Sequence, residues 1–192
     1  MRARVVALPP VTMAEPADTI LLAACALGDR AALARLYERH HARIRRFVAP
    51  LRGGEDVEDL VQSTFLTAWE QARRFRGEAT VLEWLLGIAA HQARRGRRGD
   101  LRRRVAMIRL SRLPPRRPPG PLDELTRAEV LARLEAALAR LPAHLREVFV
   151  LCEIEELSGV EVARILGIPA GTAWRRLHQA RARIRAALEE GR

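Results

Sequence analysis

The sequence predicts an all-α protein made of two small helical domains, and three observations carry that prediction. Apolar residues make up 48% of the chain, mostly as Leu, Ala and Val, whereas aromatic residues make up only 4%. The apolar positions recur at intervals of three and four, as in amphipathic helices, and strand-like alternation is hard to find. A basic, proline-rich stretch separates two groups of such patterns, and 192 residues are enough for two small cores.

Residues 1–17 are interpreted as a flexible leader. They begin with basic residues, as a signal peptide does, but Pro9 and Pro10 interrupt the apolar run that follows. Met13 is a second candidate for the first residue of the protein. No apolar run reaches the ~18 residues of a membrane-spanning helix, so we expect no direct insertion into a membrane.

The first domain is predicted to cover residues 18–98 and to contain four helices. Asp18 opens a short helix that should end at Gly28, and Asp29 then caps a longer one. The third helix begins with acidic residues, which the helix dipole favours there, and Thr80 caps the fourth. The apolar stripes of the last three helices are Leu33, Leu36, Tyr37, Ile44, Phe47, Val48 and Leu51; Val57, Leu60, Val61, Phe65, Ala68, Trp69 and Ala72; and Val81, Trp84, Leu85 and Ile88.

A basic linker rich in proline is predicted over residues 99–121. Between Arg94 and Arg117 the chain has eleven arginines and one acid, Asp100, so most of the formal charge of +11 is concentrated there. Such a segment attracts a polyanion through counterion release. Nucleic acid is favoured over an anionic membrane surface, because no spanning segment accompanies the charge.

The second domain is predicted to cover residues 122–190. Its first helix carries leucines at intervals of three and four, and Pro142 begins the next. Ser158 and Glu161 form a capping box for a two-turn helix that ends at Gly167, and a final helix follows. The predicted inward residues are Leu131, Leu134, Leu138, Leu141, Leu145, Val148, Phe149, Cys152, Ala173, Leu177, Ala180, Ile184 and Leu188.

The last two helices, GVEVARILGIPAGTAWRRLHQARARIR over residues 159–185, have the pattern of a helix-turn-helix. Arginine and glutamine near the start of the second helix can pair with base edges, and those further along more often hold phosphates. The alternative is an ordinary solvated face. Trp174 argues against that alternative, since a large aromatic off the apolar stripe is costly to expose, although it could instead cover a gap beside Leu166.

The sequence lacks the residue patterns typical of an enzyme. Its five histidines show no H-E-x-x-H or paired Cys and His spacing, and no glycine-rich phosphate loop occurs. The two cysteines, Cys25 and Cys152, lie far apart within helical patterns, so a reduced cytoplasmic protein with two core thiols is expected. We therefore expect no catalysis, cofactor, metal or small-molecule substrate.

Two stretches in the same order resemble the small bacterial sigma factors of the extracytoplasmic-function (ECF) group, in the sigma-70 family. The first is EDVEDLVQSTFLTAWEQARRFRGEATVLEWLLGIAAHQARR, and the second is LARLPAHLREVFVLCEIEELSGVEVARILGIPAGTAWRRLHQARARIRAAL. The resemblance extends from about Asp18 to Leu188. It implies that the first domain is sigma region two and the second is sigma region four.

The resemblance also implies three sets of site residues. Residues that would dock on the clamp coiled coil of the polymerase beta-prime subunit are Asp59, Leu60, Gln62, Phe65, Leu66 and Trp69. Residues that would bind the minus-ten element, with a base pocket at the GEAT loop and arginines on phosphates, are Phe75, Arg76, His91, Arg94, Arg95, Arg97 and Arg98. Residues that would bind the minus-thirty-five element are Thr172, Trp174, Arg175, Arg176, His178, Gln179 and Arg181.

Five positions depart from the family pattern. Ser63 stands where an acid is common, and His91 stands where asparagine is usual. Trp174 and Arg175 replace a basic residue and a serine, and Gln179 replaces a frequent arginine. We expect these differences to affect polymerase docking at the first position and base preference at the others. Phe65 or Trp69 could also simply fill the core.

The implied function is a promoter-specificity subunit without catalysis of its own. Its partners would be core RNA polymerase, through the beta-prime clamp and the beta flap, promoter DNA, and an anti-sigma factor that no residue here identifies. It would be cytoplasmic, at the nucleoid when active or held at a membrane by the anti-sigma factor. The alternative is a stand-alone helix-turn-helix regulator that does not engage polymerase.

Overall fold

The computed structural model describes residues 16–52, 56–107 and 127–189, and all regular structure in these ranges is helical. The all-α prediction is thus confirmed for the described residues. The helices of the first domain are α1 (Asp18–Ala26), α2 (Arg30–Arg52), α3 (Val57–Gln71) with a 3-10 turn (Ala72–Arg74), and α4 (Val81–Met107). Those of the second are α5 (Arg127–Arg140), α6 (Ala143–Phe149) continuing as a π-helical turn (Val150–Ile154), α7 (Gly159–Leu166) and α8 (Ala170–Glu189).

The predicted helix caps are present. Asp29 Oδ1 accepts hydrogen bonds from the backbone N–H groups of the first turn of α2, at 2.8 and 3.2 Å. Thr80 with Glu83, and Ser158 with Glu161, exchange side-chain and backbone hydrogen bonds in two capping boxes. These bonds satisfy backbone donors that have no partner within the helix, which is why α2, α4 and α7 begin where they do.

The predicted linker is partly wrong, because α4 continues past Arg98 to Met107. Arginine is a good helix former, and no proline occurs between Arg98 and Met107, so no proline breaks the helix in this stretch. The remainder of the predicted linker lies outside the described residues.

The apolar core is continuous between the two domains. Phe47, Val61 and Leu85 at its centre are fully buried. Val150 and Val162 of the second domain belong to the same buried cluster. A smaller cluster joins α5, α6 and α8. Its members include Leu138, Leu141, Leu145 and Ile184, whereas the predicted core residue Leu131 is 52% exposed. The two domains therefore pack directly against each other.

Among the described helices, none is both long and apolar enough to span a bilayer.

Candidate functional site

An apolar groove lies between α2 and α3, with a volume of about 390 Å³. The Tyr37 ring forms part of its floor, 4.9 Å from the Phe65 ring, and Leu66 at its edge is 59% exposed. Charged residues Arg30 and Glu38 stand beside this apolar surface. The combination of apolar floor and charged rim suits the side of another helix.

The six residues expected to dock on polymerase lie in three different environments. Gln62, Phe65 and Leu66 line the groove. Leu60 is buried and Trp69 packs against the core, so both support the domain from inside. Asp59 is exposed and lies near Arg45 and Glu58, away from the groove. The α2 side of the groove, with Leu33 and Tyr37, was missed, although both residues belong to the apolar stripe of that helix.

Ser63, one of the departures from the family pattern, binds α4. Its hydroxyl donates to Gln92 Oε1 at 2.8 Å, and the Thr64 hydroxyl donates to the same oxygen at 3.1 Å. Gln92 Nε2 in turn donates to Thr67 Oγ1 at 2.8 Å and to the Ser63 carbonyl at 3.1 Å. Gln92 therefore ties α4 to α3. Sequence reasoning missed it, because an amide side chain in a helical stretch has no distinctive spacing.

A second pocket, of about 570 Å³, opens beside α4. Trp84 forms one wall, supported from behind by the edge of the Phe75 ring at 5.4 Å between centroids. The lining residues are Thr67, Glu70, Gln71, Ala79, Glu83, Trp84, Gly87, Ile88, His91, Gln92, Arg95, Arg164 and Ile165. A flat aromatic wall, amide and imidazole groups and an arginine are suited to a nucleobase and its phosphate.

The residues expected at the minus-ten element are only partly gathered at this pocket. His91 and Arg95 line it and are exposed, whereas Phe75 supports Trp84 from outside it. Of the GEAT loop, Ala79 is the residue that lines the pocket, and Arg76 is exposed on that loop. Arg94 points to the second domain, with its Nε 3.5 Å from Glu147 Oε2. The side chains of Arg97 and Arg98 lie outside the described residues.

Glu155 of the second domain is the centre of a charge cluster between the domains. Its side chain is 0% exposed and accepts hydrogen bonds from Arg43 Nε at 3.0 Å and from Arg46 Nε at 2.6 Å. Arg46 Nη2 adds a third bond at 3.0 Å, and Arg43 Nη2 donates to the Glu155 carbonyl at 3.2 Å. The hydrogen bond to Glu155 raises the pKa of the Arg46 guanidinium. Both arginines belong to α2, so the cluster joins α2 to the end of the π-helical turn.

Further contacts between the domains lie beside the pocket, which Arg164 and Ile165 of the second domain help to line. Arg164 Nη1 of α7 donates to the buried Glu83 at 2.9 Å, and both residues line the pocket. The helices α4 and α7 approach so closely that a Cβ on Gly87 would lie 3.3 Å from the Ile165 carbonyl. Arg146 Nη1 also donates to the Pro50 carbonyl at 3.2 Å. In this arrangement the second domain rests on the helix that carries His91, Arg94 and Arg95.

The helix α8 presents a basic outer face. Ala173, Leu177, Ala180 and Ile184 are buried as predicted. Of the residues expected at the minus-thirty-five element, Arg175, His178 and Gln179 are exposed, and Thr172 and Arg176 are partly buried. Burial lowers the pKa of His144 of α6, and the charges of Arg176 and Arg183 lower it further.

The two remaining residues expected at the minus-thirty-five element, Trp174 and Arg181, are exposed but also make contacts within the domain. Trp174 lies over Gly159 of α7, since a Cβ on Gly159 would be 2.6 Å from its Cε2 atom. Arg181 donates to Glu153 Oε1 at 2.9 Å from Nε and at 2.6 Å from Nη2.

The described residues contain no group of three or more His, Cys, Asp or Glu side chains that could hold a metal ion. Burial raises the pKa of the Cys152 thiol to about 11, and it also raises that of Cys25. Neither thiol has the depressed pKa of a reactive cysteine.

Two family models match this chain. Residues 36–104 match the family described as Sigma-70 region 2, and residues 131–184 match Sigma-70, region 4. The chain is 32% identical over 178 residues to the ECF RNA polymerase sigma factor SigM of Mycobacterium tuberculosis, covering 88% of this chain and 84% of that protein. It is 30% identical over 190 residues to the RNA polymerase sigma factor CnrH of Cupriavidus metallidurans, covering 91% and 96%.

Two solved structures resemble the whole fold. CnrH in complex with the cytosolic domain of CnrY has a TM-score of 0.65 at 28% identity, covering 91% of this chain and 99% of that one. The sigma factor RpoE in complex with the anti-sigma factor NepR, from Bartonella quintana, has a TM-score of 0.66 at 25% identity, covering 83% and 98%. The chain therefore belongs to the extracytoplasmic-function RNA polymerase sigma factors of the sigma-70 family.

Proposed function

We propose that this protein binds core RNA polymerase and directs it to promoters, with the first domain opening the minus-ten element and the second binding the minus-thirty-five element. The observation that carries the proposal is the pairing of two sites on one domain, the apolar groove and the Trp84 pocket. A stand-alone regulator needs neither. The protein supplies binding and no catalysis, and it acts in the cytoplasm, where polymerase and promoter DNA are found.

The groove between α2 and α3 is the proposed contact with the polymerase clamp. An exposed Leu66 beside Tyr37 and Phe65 offers apolar area, and the flanking Arg30 and Glu38 can fix the orientation of a partner helix. Exposed apolar anchors in a groove with a polar rim are typical of binding hot spots.

The Trp84 pocket is the proposed site for an extruded base of the non-template strand. Extrusion costs a few kcal/mol, and stacking on an aromatic side chain returns about 1–3 kcal/mol per base. His91 supplies a hydrogen-bonding group for the base edge, and Arg95 is placed for a phosphate. Because His91 stands at the rim, we propose that it contributes to the choice of base.

The closed arrangement of the two domains corresponds to a state that has not engaged a promoter. Elements centred about 25 base pairs apart are about 85 Å apart on straight DNA at about 3.4 Å per base pair. A compact chain of this size is only about 40 Å across, from the scaling of the radius of gyration. The domains must therefore separate, which breaks the contacts of Glu155, Glu147 and Glu83 with arginines of the opposite domain.

We also propose an anti-sigma partner that favours the closed arrangement. Support comes from the solved relative RpoE, which is in complex with the anti-sigma factor NepR. The exposed apolar groove on the first domain remains open in the closed arrangement, so such a partner could cover it and exclude polymerase.

Run-off transcription tests the proposed function. The protein is mixed with bacterial core polymerase and fragments of its own genome, and the transcripts are mapped. Defined start sites that appear only when the protein is added support the proposal. A protein that shifts promoter DNA by itself but never directs core polymerase would instead be a stand-alone regulator.

A further inference from the structure

Trp174 and Gly159 form a contact between the two helices of the helix-turn-helix. A Cβ on Gly159 would meet three ring atoms of Trp174, Cε2, Cζ2 and Cδ2, at 2.6, 2.8 and 3.0 Å. The indole therefore lies against the backbone of Gly159, which is buried and is the first residue of α7. A side chain at residue 159 would meet the ring in this position, so either the ring or α8 would have to shift.

The contact lies on one flank of α8, and a second contact lies two turns further along the same flank. Residues 174 and 181 are seven apart and so face the same side of a helix. Arg181 on this flank binds Glu153, at the end of the π-helical turn. The flank of α8 is thus attached at two points, although Trp174 and Arg181 are also partly open to solvent, and Arg175, His178 and Gln179 are exposed beside it.

The angle between α7 and α8 decides how base-reading side chains enter the major groove. In a helix-turn-helix the second helix lies in the groove while the first crosses the backbone, so a change in their crossing moves both sets of contacts. Trp174 has a rigid ring with few rotamers; 52% of the residue is exposed, and the ring rests on Gly159.

We propose that Trp174 is a positioning residue, which sets the crossing of α7 and α8 by resting on Gly159 and thereby aims Arg175 and Gln179 at the minus-thirty-five element. This inference rests on the proposed function of the second domain. It assigns the ring a role between the helices instead of a direct contact with a base. It also makes Gly159 the necessary partner of Trp174.

A double-mutant cycle in the full chain, bound to core polymerase, tests the inference. The variants are Gly159→Ala, Trp174→Ala and both together, with Val160→Ala as the control because Val160 is 56% exposed on the same helix. The measurement is the ratio of affinities for a selected minus-thirty-five sequence and for a scrambled one, at one salt concentration. Thermal unfolding of each variant is measured in parallel.

Gly159→Ala should lower the affinity ratio about tenfold, the loss expected when one base-edge pair is misaligned. Trp174→Ala should lower it several-fold, and the double variant should match Trp174→Ala, because the added methyl clashes only with the ring. Trp174→Phe should retain most of the ratio. The affinity for scrambled DNA and its dependence on salt should stay unchanged, whereas a purely structural defect would lower both affinities together.

Additive losses in the double variant would overturn the inference, as would a ratio in Gly159→Ala equal to that of Val160→Ala. A direct base contact by the ring would show as a Trp174→Ala loss confined to one base position and independent of Gly159, and it would also overturn the inference. Failure of the proposed function is distinguishable, because the unmodified protein would then show no preference for any minus-thirty-five sequence.

Discussion

Replacing Glu155 by Gln should shift the protein from the closed towards an open arrangement. The Glu155 carboxylate is fully buried and accepts three hydrogen bonds from Arg43 and Arg46 of the opposite domain. Glutamine keeps the shape but loses the charge, and its NH₂ group turns a donor towards arginine donors. The change therefore weakens the contact between the domains without adding volume.

The expected magnitude follows from the exposure of the two arginines. Hydrogen bonds to charged groups contribute about 1.5–3 kcal/mol each, and removing one partner of a buried ion pair costs about 3–5 kcal/mol. Here the arginine side chains are 38% and 54% exposed and can be solvated again after the change. We therefore expect a net loss of about 1–2 kcal/mol, which is a shift of roughly 5- to 30-fold in the ratio of closed to open molecules.

Energy transfer between two dyes measures the shift. The dyes are attached to cysteines introduced at Leu27, the residue that follows α1, and at Glu189 on α8, which are both exposed. Glu58→Gln is the matched control, since it removes the same charge from an ion pair with Arg45 that lies within the first domain and is exposed. Glu155→Gln should lower the transfer efficiency and Glu58→Gln should not.

A second variant opens the domains without changing a charge. Gly87→Leu places a side chain where a Cβ alone would be 3.3 Å from the Ile165 carbonyl, so it should wedge α4 away from α7. Leucine has a higher helix propensity than glycine, so the substitution should not destabilise α4 itself. If Glu155→Gln and Gly87→Leu both give the transfer efficiency of the unmodified protein, the described contacts do not hold the domains together and our reasoning is wrong.

Three further predictions concern the groove, helix α8 and the partly buried thiol of Cys152. Leu66→Glu should weaken binding to core polymerase by about 2 kcal/mol or more, as for a hot-spot residue, whereas Leu27→Glu, at a position 86% exposed, should not. Equal affinities of the two variants for core polymerase in a pull-down titration would contradict the role of the groove. Arg175→Ala should relax the base preference at one minus-thirty-five position, at a cost of about 1–3 kcal/mol. Arg183→Ala should instead lower the affinity evenly across a promoter library. An unchanged base preference in Arg175→Ala would exclude base reading by that side chain. Burial raises the pKa of Cys152 from 9.0 to about 11, so its reactive thiolate is about 100-fold scarcer below pH 9 in the folded protein. Alkylation should therefore accelerate with pH up to about 11, and at pH 8 it should become fast only on unfolding. Rapid alkylation of the folded chain at pH 8 would contradict the raised pKa.

The sequence predicted the helices well, because their ends depend on local chemistry. Asp29, Thr80 and Ser158 cap helices at the predicted positions. The end of α4 was predicted less well, since arginines and isolated glycines neither continue an apolar stripe nor stop a helix. Leu131 fits the apolar stripe of α5 but is half exposed, because no neighbouring helix among the described residues covers that end.

The candidate sites were predicted in part. The motif around Gln62, Phe65 and Leu66 led to one side of the groove, but Tyr37 on the other side comes from a helix remote in the sequence. Similarly, His91 pointed to the Trp84 pocket, whereas the participation of Arg164 depends on how the two domains meet.

By itself the sequence determined the all-helical class, the positions of most helices, the two-domain order and the resemblance to ECF sigma factors. Periodicity shows which face of a helix is apolar, and capping residues show where the helix starts. Only the tertiary structure decided which helices cover those faces. It alone shows that Glu155 is buried against two arginines and that Trp174 rests on Gly159. Both contacts join residues that are separated along the chain, and a local pattern contains no information about such partners.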